Sequence, residues 1–557
     1  MATIPVRRGI AALSIPQGLR HGVALPSAAV LLMAVLQFVQ IFRRAINWDE
    51  FWHYSQIHEL KAGTLSRPLQ TLHTRLFGWV TDLPGTGVDH IVVIRLFMFS
   101  CEMVTTAAIV ALASRFSNRS TAILCALAYI AFPYVFKHGY SFRFDPPAAA
   151  LLMSTLTIFT YSRLKPAAMV LAGVLLGIAP MVTIKIVLYA PAFAGVLWLR
   201  WTEEKYSQDY LRRLAGVVAV SCAVFALLFL WHSQGQLGEP GVQSKTIVTK
   251  AAGAMFGVTA MPYWTFAISA LVLAPITAVL IVAAPYLIAR SGKPNAERIA
   301  MAGLLLPVTT LVFYHNTAPY YYAYMLPPVL VGCAAAMAWF ANRFCQTVMI
   351  ASLLVAGLAA LLTDPPSAID RQRALLRAAD ELFPRPVYYF DFCGFLGTFP
   401  KVNGFMTPVS IDIYRSGGMT PMHVTMGQKV VPLLMNNDPM FDRLFAGAEA
   451  PEFLPRDAEA LRDNYVHFWG PFWLAGKVIH PSATARSEEF LVPGPYTVRD
   501  SSAIVDGKVY RPGDIVVLDR GVHLIRAAAG RDARLVWGKR IKEPSRPAPQ
   551  EPFWTDF

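Results

Sequence analysis

Between Asn47 and Trp79 the chain packs Asp49, Glu50, His53, His58, Glu59, Arg67, His73 and Arg75 among Trp48, Phe51, Trp52 and Tyr54. Two adjacent carboxylates, Asp49 and Glu50, can divide acid–base work, one taking a proton while the other orients a substrate. The structural alternative is that Asp49 caps a following helix and Glu50 complements its dipole. Arg67 and His73, placed to fold back beside the carboxylates, favour the chemical reading.

Three further groups stand out. Asp145 closes the run Lys137-His138-Gly139-Tyr140-Ser141-Phe142-Arg143-Phe144 and precedes Pro146-Pro147. Asp before Pro is a good helix start, but capping leaves Lys137, His138 and Arg143 unexplained. Lys185 sits in the apolar stretch Met181-Val182-Thr183-Ile184-Lys185. A charge at bilayer depth costs about 2.5–3.5 kcal/mol on insertion scales, so it points at a partner or an ion path, or it snorkels to the surface. His315-Asn316 precede Pro319 and the tyrosines 320, 321, 322 and 324. An aromatic girdle accounts for the tyrosines; it does not account for the His-Asn pair.

These groups must be held by membrane-spanning elements. The 557 residues are 55% hydrophobic and only 15% charged, with a mean hydropathy of +0.44. That composition excludes an ordinary soluble protein and points to a polytopic α-helical one. The net charge of +14 does not indicate nucleic acid, because the Lys and Arg lie in short stretches between apolar runs, as membrane orientation requires. Five of the six cysteines fall in or beside apolar runs, and no disulfide framework or metal spacing is visible.

About eleven spans are expected, near 22–42, 91–113, 120–136, 146–162, 166–181, 184–199, 214–232, 263–289, 299–314, 323–341 and 347–363. The first reads as an uncleaved helix behind Arg7, Arg8 and Arg20. Arg115/Arg119, Arg163/Lys165, Arg200/Lys205/Arg212/Arg213, Arg290/Lys293/Arg298 and Arg343 then fall on the side of the N-terminus. This is the positive-inside pattern, and it places the C-terminal third outside. The basic first outer loop breaks the rule, as functional segments often do. Within it, Phe51, Tyr54, Ile57 and Leu60, and then Leu69, Leu72, Leu76 and Trp79, predict two short interfacial helices, and the loop near 234–261 suggests a third over 248–258.

The spacing therefore predicts a transmembrane domain over 1–363, an α/β module over 364–485 and a β-rich module over 486–557 with a loose tail. Pro365-Pro366 mark the linker, and Asp506-Gly507 mark a hairpin turn. The tail carries no catalytic motif; a lid or acceptor-binding accessory is its default role. No internal repeat is present, which disfavours a transporter or lipid flippase, the main alternative.

The first loop resembles the GT-C glycosyltransferases that use polyprenyl-phosphate sugars, above all the protein O-mannosyltransferase and lipid A aminoarabinose transferase branch. That family has Asp-Glu after the first span, a Gly, a Pro-Pro-Leu element led by Lys or His, and a Phe-Gly. Here Asp49-Glu50, Gly63, Arg67-Pro68-Leu69 and Leu76-Phe77-Gly78 follow in the same order. Asp145-Pro146 matches the family's second acidic element. Thr183-Ile184-Lys185-Ile186 is similar to a Thr-Lys-Gly element, and Tyr324-Met325-Leu326-Pro327 is similar to a closing aromatic-Leu-Pro pattern. Arg67 stands where the family has Lys or His, and one proline replaces two.

The resemblance implies a polyprenyl-phosphate sugar donor, an extracytoplasmic acceptor (lipid, polysaccharide or protein), and transfer by inverting direct displacement. Asp49, with Glu50 and Asp145, would be catalytic. Arg67, Arg143, Lys185, His53, His73, His315 and Tyr324 would bind the donor phosphate or sugar. No cofactor is expected and metal is left out, although Asp49, Glu50, His53 and Asp145 could converge on one. Asn118-Arg119-Ser120, the one glycosylation-like triplet, falls on the inner side, and the tail holds a single cysteine. Both favour a bacterial inner membrane with the N-terminus cytoplasmic and the C-terminal domain periplasmic.

Overall fold

The computed structural model describes residues 22–255, 263–362, 368–527 and 530–554. The basic N-terminus, the Pro365-Pro366 linker and the end of the expected 248–258 helix lie outside these residues.

The first helix, α1 (Ala24–Arg43), is apolar on nearly every side, as a helix facing lipid must be. Two elements follow in the first loop, α2 (Trp48–Lys61) and the single turn α3 (His73–Leu76). Then come α4 (Gly87–Phe116), α5 (Arg119–Ile130), α6 (Pro133–His138), α7 (Asp145–Tyr161) and α8 (Pro166–Val182). The bundle continues with α9 (Ala190–Glu203), α10 (Gln208–Ser233), α11 (Pro240–Met255), α12 (Trp264–Leu273) and α13 (Pro275–Ala289). It closes with α14 (Asn295–Leu305), α15 (Tyr321–Gly332), α16 (Ala334–Phe344) and α17 (Gln346–Ala359).

Among the described residues, helices or 3-10 turns fill most of each of the eleven apolar stretches. By length and composition four described helices can cross a membrane unaided: α1, α4, Ile184–Glu203 and α10. Two bent pairs raise that to six, α12 with α13 at 102° and α15 with α16 at 70°. Arg119–Ile130, Pro166–Val182 and Gln346–Leu362 are apolar but shorter. Close packing compensates for the short elements. A Cβ on Gly173 of α8 would lie 2.6 Å from Val220, and one on Gly177 would lie 2.7 Å from the Ser221 carbonyl. Glycines four apart thus let α8 and α10 touch along their backbones.

The first loop departs from the expected pair of interfacial helices. Residues 69–79 form only α3 and the start of a 3-10 turn over Gly78–Asp82. The apolar face of α2 is covered by the C-terminal domain: Phe51 meets Phe395 at 4.4 Å between ring centres, and Trp52 stacks on Phe405 at 5.3 Å. One continuous core joins Phe51, Tyr54 and Ile57 to Phe390, Phe395 and Leu434.

That domain opens with α18 (Ala368–Leu382) and builds two sheets. The larger takes β1 (Tyr389–Phe390), β2 (Leu433–Met435), β3 (Tyr465–Trp469) and β4 (Phe472–Ile479). The smaller begins with β5 (Arg486–Phe490); β6 (Gly494–Arg499) returns to the larger, and β7 (Ala503–Val505) and β8 (Lys508–Tyr510) join the smaller. The last strands are β9 (Ile515–Leu518), β10 (Gly521–Ala527) and β11 (Ala533–Trp537). The seven-stranded order is β1-β2-β4-β11-β6-β9 with β3 also on β4, and the four-stranded order is β5-β10-β7-β8. The path from β4 through β11 to β6 crosses residue 486, so 364–485 and 486–557 share a sheet. Asp506 and Gly507 both have positive φ, 48° and 80°, as the two-residue hairpin turn between β7 and β8 requires.

Candidate active site

The helix that presents the carboxylates starts at a strong signal. Asn47 Oδ1 accepts from the Asp49 amide at 3.0 Å, and Glu50 Oε1 accepts from the Asn47 amide at 3.0 Å. The cap is therefore Asn47, not Asp49, and the Asp49 side chain is released for other contacts.

Glu50 is fully enclosed. Its Oε1 accepts from Arg95 Nη2 at 2.5 Å; its Oε2 accepts from Arg95 Nε at 2.8 Å and from the Phe142 amide at 2.8 Å. Arg95 also donates to the carbonyls of Arg44 and Ala45, each at 2.8 Å, at the end of α1. One ion pair therefore fixes the exit of α1, the start of α2 and the loop before α7. Burial pushes the Glu50 carboxyl up, but the Arg95 guanidinium outweighs it and holds the group below its ordinary value.

Asp49 belongs to a second chain of charges. Arg143 Nη1 donates to Asp49 Oδ2, and Arg143 Nε lies 3.6 Å from Asp145 Oδ2, an ionic contact too long for a hydrogen bond. Lys185 Nζ donates to Asp145 Oδ1. Asp145 is the first residue of α7, one position past the cap at Phe144. Lys185 arrives because α8, with Pro180 inside it, ends at Val182; extended Thr183 then accepts from the Lys185 amide at 3.3 Å and starts a 3-10 turn. The lysine is buried, so it does not snorkel. The Asp49 side chain is 15% exposed against 2% for Asp145 and none for Glu50, making it the most accessible of the three acids.

The tyrosines of the 315–324 segment are buried rather than arranged as a lipid-facing girdle. Tyr320 places its ring 3.2 Å from the Arg143 guanidinium carbon, and the Tyr321 and Tyr324 rings lie 5.8 and 5.5 Å from Lys185 Nζ. Such faces hold cations where water is scarce. Tyr324 also donates to the Lys185 carbonyl at 2.7 Å. Burial alone would lower the Arg143 pKa; Asp49, Tyr320 and Asp145 more than offset it and raise the value. His315 is half-buried beside Asn316, whose Oδ1 accepts from Tyr320 at 2.6 Å.

His53 and His73 stack with Phe142 and Phe144 beside this chain. The His73 ring Nε2 lies 3.1 Å from the His53 carbonyl, and neither Nδ1 has a protein partner. Burial pushes His73 down to about 3, and burial with the nearby His73 and Arg143 pushes His53 well down too. Burial thus favours the neutral form of both rings.

Arg67 is the exception. It is exposed and stands apart from the Asp49–Arg143–Asp145–Lys185 contacts. The 64–70 segment is an irregular loop, and its three buried positions, Leu65, Pro68 and Leu69, do not draw the arginine inward.

Next to the charges lies a cavity of about 480 Å³ between α4, α7, α8 and α10. Leu72, Phe97, Leu151, Leu175 and Leu228 make its walls apolar, while Arg143 and His73 are its main polar groups. A long hydrocarbon with an anionic head matches that combination.

Two buried charges in α4 were not singled out in the sequence. Arg95 holds Glu50, and Glu102 accepts from Gln37 at 2.9 Å. The signal that exposed Lys185, a charge inside an apolar run, applied equally to both. Among the described residues no three His, Cys, Asp or Glu side chains are grouped to hold a metal ion.

No protein-family model matches the sequence, and no curated protein matches it. Similarity is found among solved structures. ArnT from Cupriavidus metallidurans, bound to undecaprenyl phosphate, aligns over 77% of this chain and 95% of its own with a TM-score of 0.51 and 13% identity. An oligosaccharyltransferase of Archaeoglobus fulgidus aligns over 80% and 73% with a TM-score of 0.48 and 11% identity. The chain is a multi-pass membrane protein with the GT-C fold and a C-terminal domain rich in β-structure.

Proposed function

We propose that this protein is a membrane glycosyltransferase that moves a sugar from a polyprenyl-phosphate donor to an extracytoplasmic acceptor. The observation that carries this reading is the junction at Arg143: one guanidinium lines an apolar cavity and holds the most accessible carboxylate, Asp49. The fold shared with ArnT, whose structure holds undecaprenyl phosphate, supports the donor class.

The polyprenyl tail lies in the cavity, and the phosphate draws Arg143 away from Asp49. That exchange frees Asp49 as a base when donor is present. Asp49 takes the proton of the acceptor hydroxyl as its oxygen bonds to the anomeric carbon. The bond from that carbon to the phosphate oxygen breaks, and its electron pair leaves with the polyprenyl phosphate. Arg143 and Lys185 stabilise the charge that develops there, and arginine can grip phosphate through two donors. A single displacement inverts the anomeric centre. Asp145 keeps Lys185 in place, and Tyr324 holds its backbone. His53 and His73, neutral and with open Nδ1 atoms, bind sugar hydroxyls. Glu50, whose oxygens are occupied by Arg95 and backbone amides, is a positioning residue, and exposed Arg67 has no part in the step.

The basic groups gather at the opposite end of the bundle, where Arg115, Arg200 and Lys293 pair with Glu203 and Glu297. The positive-inside rule supports reading that end as cytoplasmic, with the site and the C-terminal domain on the periplasmic side of a bacterial inner membrane in this proposal.

The test uses purified protein in vesicles with polyprenyl-phosphate pentoses and hexoses and an envelope glycan or lipid extract. Free polyprenyl phosphate should be released only when the extract is present. Carrier that stays intact, with or without crossing the bilayer, would overturn the reading.

A further inference from the structure

At the far end of α4 from the Asp49 site a second cleft opens, about 450 Å³ in volume, between the α4–α5 turn, the end of α13 and α16. From Arg95 to Phe116 the helix rises about 30 Å, roughly one hydrocarbon core. The cleft therefore belongs to the opposite leaflet. The α13 and α16 helices that line it each follow a sharp break, 102° after α12 and 70° after α15.

The cleft lining is mixed. Arg290, Lys293, Ser117 and Asn118 supply polar and cationic groups, and Leu287 and Trp339 supply apolar surface. Lys293 is shared with Glu297 at 3.1 Å, and Glu297 is also taken by Arg115. The Arg290 guanidinium makes no hydrogen bond or ion pair with any described residue; it rests 5.1 Å from the ring centre of Tyr286. The cleft thus holds a cation without an anion. Trp339 and Tyr286, 48% and 60% exposed, put it at headgroup depth, where such rings concentrate.

We infer that this cleft binds an anionic phospholipid, its phosphodiester on Arg290 and Lys293 and its acyl chains along Leu287 and Trp339. An amphiphile satisfies both kinds of lining at once, and basic pockets between helices on the cytoplasmic side take such headgroups. A soluble phosphate would leave the apolar surface wet; a zwitterionic lipid would bring its own cation to Arg290. The site is separate from the sugar-transfer site and does not depend on it.

The experiment is native mass spectrometry of the full chain in detergent, titrated with phosphatidylglycerol, phosphatidylcholine or glycerol phosphate, with no sugar donor present. Phosphatidylglycerol should bind about tenfold more tightly than phosphatidylcholine, and glycerol phosphate should not displace it. Arg290→Gln with Lys293→Gln should bring phosphatidylglycerol down to the phosphatidylcholine level. Arg212→Gln, an exposed basic change at the same end, should leave it unchanged, and Trp339→Ala should weaken both lipids. Equal retention by the double variant and the wild type overturns the site. So does displacement by glycerol phosphate, or a loss at Arg212 as large as at Arg290 and Lys293. A melting temperature for each variant separates a lost site from a lost fold.

Discussion

Arg95 and Glu50 form a two-pronged ion pair, 2.5 and 2.8 Å, with side chains 1% and 0% exposed. The pair ties three segments together, because Arg95 donates to the Arg44 and Ala45 carbonyls just past α1 and Glu50 accepts from the Phe142 amide. Removing one partner leaves an uncompensated buried charge, which costs about 3–5 kcal/mol. Arg95→Met should therefore lower the melting temperature markedly, and Glu50→Met with Arg95→Met should recover much of the loss. Thermal melts in detergent measure this, and a single variant as stable as wild type would contradict it.

The same pair sets an acid limit. Arg95 holds the Glu50 pKa below its ordinary 4.5 in the folded protein, despite the upward push of burial. Its contribution is complete above the unfolded value and is lost as pH falls through the folded one. Stability should drop below about pH 4.5. Glu50→Gln should lose stability at neutral pH and show a shallower acid decline. An unchanged acid slope in that variant would detach the decline from Glu50.

Asp49→Asn keeps the size of the side chain and removes the base. Transfer should fall by about 10²–10⁴-fold with the melting temperature held near wild type. Near-normal turnover would move the base elsewhere in the site.

The cavity should measure the lipid. Ser154 of α7 lines it, and Ser154→Trp would fill the space the first isoprene units need. KM for a long polyprenyl donor should rise about tenfold or more, while a donor with a very short chain should be spared. An equal effect on both chain lengths would locate the tail outside this groove.

Gly139 tests the support beneath the site. A Cβ built there would overlap the carboxylate of Glu102, whose Oε2 has no protein partner. Gly139→Ala should displace the loop that carries Arg143 and cut activity, and Glu102→Ala in the same chain should restore part of it. Additive losses in the double variant would mean the two residues do not meet.

Much of this molecule was legible in one dimension. Apolar stretches in a chain with 15% charge had to become helices, because a backbone in lipid must satisfy its own hydrogen bonds. Lys185 stood out because a charge inside apolar sequence needs a partner, and Asp145, marked by the basic run before it, is that partner. The same reasoning passed over Arg95 and Glu102, which sit in a helix long enough to look like a simple span. In the tail, the hairpin turn at Asp506-Gly507 was readable from its residue types. The central strand β4, FWLAGKVI, was missed because its neighbours β2, β3 and β11 bury most of it and erase the period-two pattern.

The sequence by itself determined a multi-pass helical chain, its chemically active first loop and the kinds of group that would meet there. Only the tertiary structure decided who meets whom. It gave Glu50 to Arg95 and Asp49 to Arg143, left Arg67 in solvent, and laid the C-terminal domain over α2. Composition and periodicity record what each residue prefers to be next to, whereas pairing between Asp49 and Arg143, 94 positions apart, is settled by helix lengths, breaks and crossings that no local pattern encodes.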